Sequence, residues 1–79
     1  MNDKEHFNLK EVCEIVGVAT HIILYWETEF LQVKPERDEL RQRVYSRRNL
    51  DVIIRIHHLL FEERRTIADT KIELAKEFD

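Results

Sequence analysis

The sequence predicts a mainly α-helical domain of four short helices with a small two-stranded hairpin, and three observations predict it. Apolar residues recur at helical spacing in four separate stretches. The chain holds one glycine, Gly17, and one proline, Pro35, and both fall between those stretches. The segment from Lys34 to Val44 is polar and charged with no helical apolar period, which leaves it to form the hairpin. At 79 residues the chain makes a single domain, 1–79, with a thin core.

The first helix rests on Leu9, Val12, Cys13, Ile15 and Val16, with Lys10, Glu11 and Glu14 outside. Gly17 ends it, because glycine takes the positive φ that lets the chain turn. Thr20 is placed to cap a second helix whose core face is Ile22, Ile23, Trp26 and Phe30. Two short helices joined around a glycine, at about residues 9–30, form a helix-turn-helix pattern. Pro35 stops any continuation, and Val33 and Val44-Tyr45 are the expected edges of a hairpin over about 33–45. Ser46 then caps the longest helix, about 46–63, with Leu50, Ile53, Ile54, His57, Leu60 and Phe61 on one face. Val52, Ile56 and Leu59 widen that stripe beyond one side. Arg64-Arg65 marks the carboxyl end, where positive charge suits the helix dipole. Thr66 with Asp69 resembles a capping box opening a fourth helix, about 67–78, that presents Ile67, Lys71, Leu74 and Phe78. The core is expected from Leu9, Val12, Val16, Ile22, Ile23, Trp26, Phe30, Leu50, Ile53, Ile54, Leu60 and Leu74.

Composition excludes several classes. The chain is 43% hydrophobic and 37% charged, too apolar for a disordered tail and too interrupted to span a membrane. The start, Met1-Asn2-Asp3-Lys4-Glu5, is polar, so no signal peptide is expected. The one cysteine, Cys13, makes no internal disulfide and no cysteine-rich zinc site, and is expected buried in an intracellular protein. One glycine cannot build a glycine-rich phosphate loop, and Ser46 has no histidine–acid pair assigned to it, so no enzyme is expected. His57 and His58 are neighbours about 100° apart on a helix and cannot chelate together, so neither metal nor cofactor is expected. Net charge is −3, which is unusual for a nucleic-acid binder. It is unevenly placed: residues 1–33 carry −4, residues 34–55 carry +3 and residues 56–79 carry −2. The central basic segment can make a local electrostatic footprint.

The run Gly17-Val18-Ala19-Thr20-His21-Ile22-Ile23-Leu24-Tyr25-Trp26-Glu27 resembles the recognition region of the mercury-resistance regulator (MerR-like) family. So do Leu31 to Pro35, then Arg37, Arg43-Val44-Tyr45-Ser46 and Leu50, and the closing stretch from Arg55 through Leu60-Phe61-Glu62-Glu63 to Thr66-Ile67-Ala68. The resemblance covers Phe7 to about Leu74. It implies an N-terminal winged helix-turn-helix DNA-binding domain of a bacterial transcription regulator, cytoplasmic and associated with the nucleoid. Such a domain binds double-stranded promoter DNA, with its second helix in the major groove and its wing on the flanking backbone. It also implies a homodimer formed through elements beyond this chain or through its C-terminal helices, with RNA polymerase as a further partner and no membrane. Family members usually dimerise through a long helix that follows. The chain stops before such a helix is complete, so it is expected to be a piece of a longer regulator or a minimal member.

Carried over residue by residue, Thr20 and His21 open the reading helix, Tyr25 matches a tyrosine that meets the DNA backbone, and Trp26 matches an aromatic at the wing–helix junction. Arg43 and Tyr45 match wing residues near phosphate, with Lys34 and Arg37 where the wing begins. Two departures stand out. Leu24 occupies the place of an arginine that contacts DNA, and leucine donates no hydrogen bond. Asp38, Glu39 and Leu40 lie where the wing's glycine pair is usual, putting two acids near phosphate. Independently of the family, Arg37, Arg41, Arg43, Arg47 and Arg48 read as phosphate contacts or as a solvated surface. Arg47 and Arg48 sit in a helix's first turn, where positive charge wants an external anion. Tyr25 and Trp26 cannot share a helix face, so Trp26 goes to the core and Tyr25 outward. Glu27 is expected to hydrogen-bond locally and steady the helix or the wing. The two function classes are thus sequence-specific double-stranded DNA binding and a protein–protein interaction module on a winged-helix scaffold that has lost strong DNA binding. Leu24, the acidic wing, the net charge and the second apolar stripe of Val52, Ile56 and Leu59 support the second.

Overall fold

The computed structural model describes residues 4–78; the polar start Met1–Asp3 and the terminal Asp79 lie outside them. The elements run β1 (His6–Phe7), α1 (Leu9–Val16), α2 (Thr20–Glu29), β2 (Glu36–Arg37), β3 (Arg43–Ser46), α3 (Arg47–His57), a π-helical turn (His58–Glu62) and α4 (Ile67–Glu77).

Local chemistry sets most boundaries. Asn8 caps α1 by accepting from the Glu11 amide at 2.8 Å, and the Glu11 carboxylate accepts from the Asn8 amide at 2.9 Å. Gly17 closes α1 at φ 83°, with its N–H donating to the Cys13 carbonyl at 2.8 Å. An added Cβ at Gly17 meets nothing within 4 Å, so the backbone angle alone requires glycine there. Ser46 and Asn49 form a reciprocal capping box at the start of α3. Thr66 accepts from the Asp69 amide at 3.0 Å to start α4. Thr20, expected as a cap, is instead the first residue of α2; Ala19 holds the cap position and offers no side-chain bond.

The sheet is three-stranded and antiparallel in the order β1-β3-β2. His6 and Phe7 pair with Ser46 and Tyr45, and Glu36 and Arg37 pair with Val44 and Arg43. The wing predicted with two strands therefore gains a third, from residues too few to carry an alternating signal. Val33, expected at the hairpin edge, is buried outside any strand, and pairing starts at Glu36.

The core is Phe7, Val12, Ile23, Trp26, Phe30, Val33, Tyr45, Leu50, Val52, Ile53, Ile56, Leu59 and Leu74. Leu9, Val16, Ile22 and Leu60 pack against it while half-buried. Ile54 is corrected: it is 44% exposed, as is Phe61 at 53%. Because α3 packs against α1, β3 and α4 together, it buries Val52, Ile56 and Leu59 beside Leu50 and Ile53. The stripe that looked surplus is the inner one. Cys13 is half-buried, with its thiol 3.8 Å from the Thr20 hydroxyl.

The predicted helix over 46–63 is α-helical only to His57. The π-helical turn that follows carries a bond from the Glu63 N–H back to the His58 carbonyl at 3.0 Å. Arg64 then takes φ 57° and the Arg65 N–H reaches the Leu59 carbonyl at 2.9 Å, so the arginine pair forms the turn and not the helix end. Arg55 clamps α3 to α4 by donating two hydrogen bonds of 2.9 Å to Glu77, whose carboxyl is held below the usual carboxylate range chiefly by that guanidinium.

Thr70 is fully buried on α4, and its hydroxyl has no hydrogen-bond partner among the described residues. A buried group left without a partner costs about 1–3 kcal/mol. Thr70→Val keeps the shape and removes that cost. Thermal unfolding should therefore show a midpoint raised by several degrees, on the order of 4–8 °C per kcal/mol for a domain of this size.

Candidate nucleic-acid interface

The second helix of the helix-turn-helix divides cleanly. Ile23 and Trp26 are buried, while Thr20, His21 and Tyr25 are exposed, Tyr25 by 48%. His21 and Tyr25 are one turn apart and share one face, and Thr20 is exposed at the start of the helix. Leu24 is half-buried between that face and the core, not freely exposed. The two acids of α2 are both engaged elsewhere: Glu29 pairs with Lys71 of α4 at 3.1 Å, and Glu27 turns to the wing. The exposed face is consequently free of fixed charge.

Glu27 is the joint between α2 and the wing. One carboxylate oxygen accepts from Arg43 Nε at 3.0 Å and the other from the Tyr45 hydroxyl. The Glu27 side chain is only 14% exposed. Tyr45 is fully buried, which corrects its expected place beside a phosphate. Its ring fills the core and its hydroxyl is spent on Glu27. Burial first, and the Glu27 hydrogen bond second, push the Tyr45 phenol far above its ordinary value of 10.0. Arg43 is half-buried and commits Nε to Glu27, while its terminal nitrogens make no hydrogen bond among the described residues.

The wing turn explains how the hairpin closes without its glycines. Glu39, Leu40 and Arg41 form a three-residue loop between Asp38 and Gln42, with the Arg41 N–H on the Asp38 carbonyl and the Asp38 N–H on the Gln42 carbonyl, both at 2.9 Å. Asp38 Oδ1 accepts from the Leu40 and Gln42 amides, each at 2.9 Å. That carboxylate is a turn-builder rather than an acid facing outward. Arg41 takes φ 65°, the left-handed residue such loops need, where glycine would be unstrained. Arg37 Nη1 donates to the Arg41 carbonyl at 2.9 Å and braces the bend. Leu40 stands at the apex, 77% exposed.

Two grooves gather six cations between them. The first, about 480 Å³, lies between the start of α1 and the wing and is lined by Asn8, Leu9, Lys10, Arg37, Arg41, Gln42 and Arg43. The second, also about 480 Å³, brings Lys34 and Arg48 together with Leu31, Gln32, Asn49 and Phe78. Arg48 lies over the Phe78 ring at 5.6 Å. Arg47 is exposed and sits 3.7 Å from Asp51 on its own helix. The structure thus groups Arg37, Arg41 and Arg43, and separately Lys34 and Arg48, while Thr20, His21 and Tyr25 form a third set. Lys10, which the sequence reading left as plain helix surface, joins the first groove. Nothing local marks it, because only the tertiary fold brings α1 to the wing. Among the described residues no group of three or more His, Cys, Asp or Glu side chains stands close enough to hold a metal ion.

A helix-turn-helix with a neutral exposed second helix, flanked by a cationic hairpin, defines a winged helix-turn-helix domain for nucleic acid. The chain belongs to the MerR helix-turn-helix family: the model described as "MerR HTH family regulatory protein" matches residues 7–77. Membership makes it a DNA-binding transcription regulator domain, of a class that is not enzymatic. A search of the curated proteins gave no match. Among the described residues no helix is long and apolar enough to cross a membrane.

Two outcomes are expected from this geometry. The raised Tyr45 phenol means that above pH 10 the unfolded chain releases a proton that the folded chain keeps. Stability present below pH 10 should therefore fall as pH climbs past it. Urea unfolding between pH 9 and 11 should show that decline, and Tyr45→Phe should flatten it. The left-handed backbone at Arg41 costs about 1–2 kcal/mol for a residue with a side chain. Arg41→Gly should raise the urea midpoint while weakening duplex binding, the two effects running in opposite directions.

Proposed function

We propose that this domain reads double-stranded promoter DNA sequence-specifically, as the DNA-binding part of a bacterial MerR-like regulator. The observation that carries the reading is the exposed Thr20, His21 and Tyr25 of α2, with both acids of that helix engaged elsewhere, set beside a wing whose arginines line a groove. A major groove admits a helix, and hydroxyl and imidazole groups can bond base edges or phosphates there. Wing cations fix register on the backbone, giving affinity without sequence information. Leu24, half-buried at the edge of that face, offers an apolar contact for a thymine methyl in place of a hydrogen bond.

With net charge −3 and a single reading helix, one copy binds modestly. The domain acts as a homodimer on two half-sites about one helical turn apart, roughly 34–36 Å. Its dimer contact comes from the C-terminal helices or from elements outside this chain, and RNA polymerase is the further partner at the promoter. The setting is the cytoplasm, at the nucleoid.

The test is binding to the DNA upstream of its own gene, using labelled duplex at two salt concentrations with unrelated duplex as competitor. Selective binding that weakens steeply with salt is the expected result, with a slope near −0.9 for each phosphate engaged. No selective binding at low salt, by this chain or by a longer native one, would overturn the reading. It would favour a protein-interaction module using the exposed Leu31 and Leu40, which are 88% and 77% exposed.

A further inference from the structure

We propose that the groove between α1 and the wing is a seat for a single phosphate group, with Lys10 as its far wall. The inference rests on the DNA-binding reading and adds to it an element, α1, and a residue that the helix-turn-helix pattern does not point to.

Four cations line this groove, Lys10, Arg37, Arg41 and Arg43, and no carboxylate does, in a chain whose acids outnumber its bases by three. Arg43 meets Glu27 through Nε, while Lys10, Arg37 and Arg41 have no ion-pair partner among the described residues; like charges left so repel one another, and an anion placed among them relieves that repulsion. Several other cations of the domain are already matched. Lys4 pairs with Glu11, Arg55 with Glu77, Arg65 with Glu63 and Lys71 with Glu29. This groove gathers three of the cations left without an ion-pair partner among the described residues, Lys10, Arg37 and Arg41.

The donors there are also held in place. Glu27 takes Arg43 Nε and leaves the terminal nitrogens uncommitted among the described residues. Arg37 is braced by its bond to the Arg41 carbonyl. Arg41 keeps a charged side chain at a left-handed position where glycine would cost nothing. On the opposite wall, Asn8 caps Glu11 through its side chain and Val12 through its carbonyl. The amides of Leu9 and Lys10, the first two of α1, have no acceptor among the described residues. Guanidinium groups on one side and an ammonium with helix-start amides on the other suit a tetrahedral oxyanion. In a DNA complex this is one phosphodiester, gripped by wing and α1 from both sides. Glu27 acts here as a positioning residue, through Arg43.

The experiment compares the wild-type chain with Lys10→Gln and Lys10→Arg on a duplex selected from a random pool by the wild type, across a salt series. It is paired with amide chemical-shift mapping during titration with inorganic phosphate alone. Lys10→Gln is expected to weaken duplex binding about 5- to 10-fold and to reduce the salt slope by about one phosphate. Lys10→Arg should restore both. Inorganic phosphate should shift the Leu9, Lys10 and Gln42 amides in the wild type and much less in Lys10→Gln. Lys10 is exposed, and an unchanged thermal midpoint for the variant shows that the fold is intact. If the wild type binds duplex and Lys10→Gln keeps its affinity and slope, the seat is wrong while the DNA reading stands. If no duplex binds but phosphate still shifts these amides, the seat stands and its ligand is a free phosphate. Neither duplex binding nor phosphate shifts would overturn it.

Discussion

Glu27 accepts from Arg43 and Tyr45 at once, and through those two contacts a helix and a hairpin become one body. The wing has little else of its own. Its strands are two and four residues long, and an isolated hairpin of that size is marginal in water. What gives it a fixed direction is Tyr45, buried as a core residue, and the carboxylate on α2 that takes its hydroxyl. The same carboxylate aims Arg43, so the placement of a cation depends on the placement of the second helix of the helix-turn-helix. β1 completes the arrangement by covering the other edge of β3, with Phe7 opposite Tyr45 and 7% exposed.

The distribution of acids resolves the apparent conflict between a net charge of −3 and a regulator's need for DNA. Glu11, Glu27, Glu29 and Glu77 each hold a cation that braces one part of the chain against another, and Glu63 pairs with Arg65 two residues on. Asp38 is turned onto backbone amides in the wing loop. Acids used this way repel phosphate less than their number suggests, since part of each charge is met by its partner. The basic segment of residues 34–55 keeps several cations without a close carboxylate. Net charge describes solubility and long-range steering, while local pairing decides where an anion can sit.

Much of the fold was legible because strong local signals coincided with what tertiary packing wanted. Gly17, Pro35, Ser46 and Thr66 all mark true boundaries, and Ile23, Trp26, Phe30 and Leu74 are core residues on clear helical spacing. The losses have definite physical causes. Ile54 was placed inside because periodicity gives an apolar face but not which neighbours meet it, and α3 meets three. Tyr45 looked like a phosphate contact because a buried tyrosine and a DNA-facing one have the same local sequence. Thr20 resembled a cap, but the helix starts at it and not after it. Of the candidate site, the exposure of Thr20, His21 and Tyr25 was legible from the spacing of the second helix. The grouping of Lys10 with the wing was not, since their proximity exists only once β1, α1 and β3 have packed.

The π-helical turn at His58–Glu62 has a consequence for how this chain lines up with others. It places one residue more in the last turn of the third helix than an α-helix holds. Everything after it is rotated by about 100° relative to an unbroken α-helical count. A helical wheel drawn straight through residues 47–63 therefore loses phase only past the turn, since Phe61 still shares the exposed face of Ile54 and Leu59 still follows Val52 and Ile56 inward. A relative whose third helix stays α-helical would align with this one only across a one-residue gap inside a helix. Gap placement that avoids helices would instead shift the gap into the loop and mismatch Leu59 through Glu62.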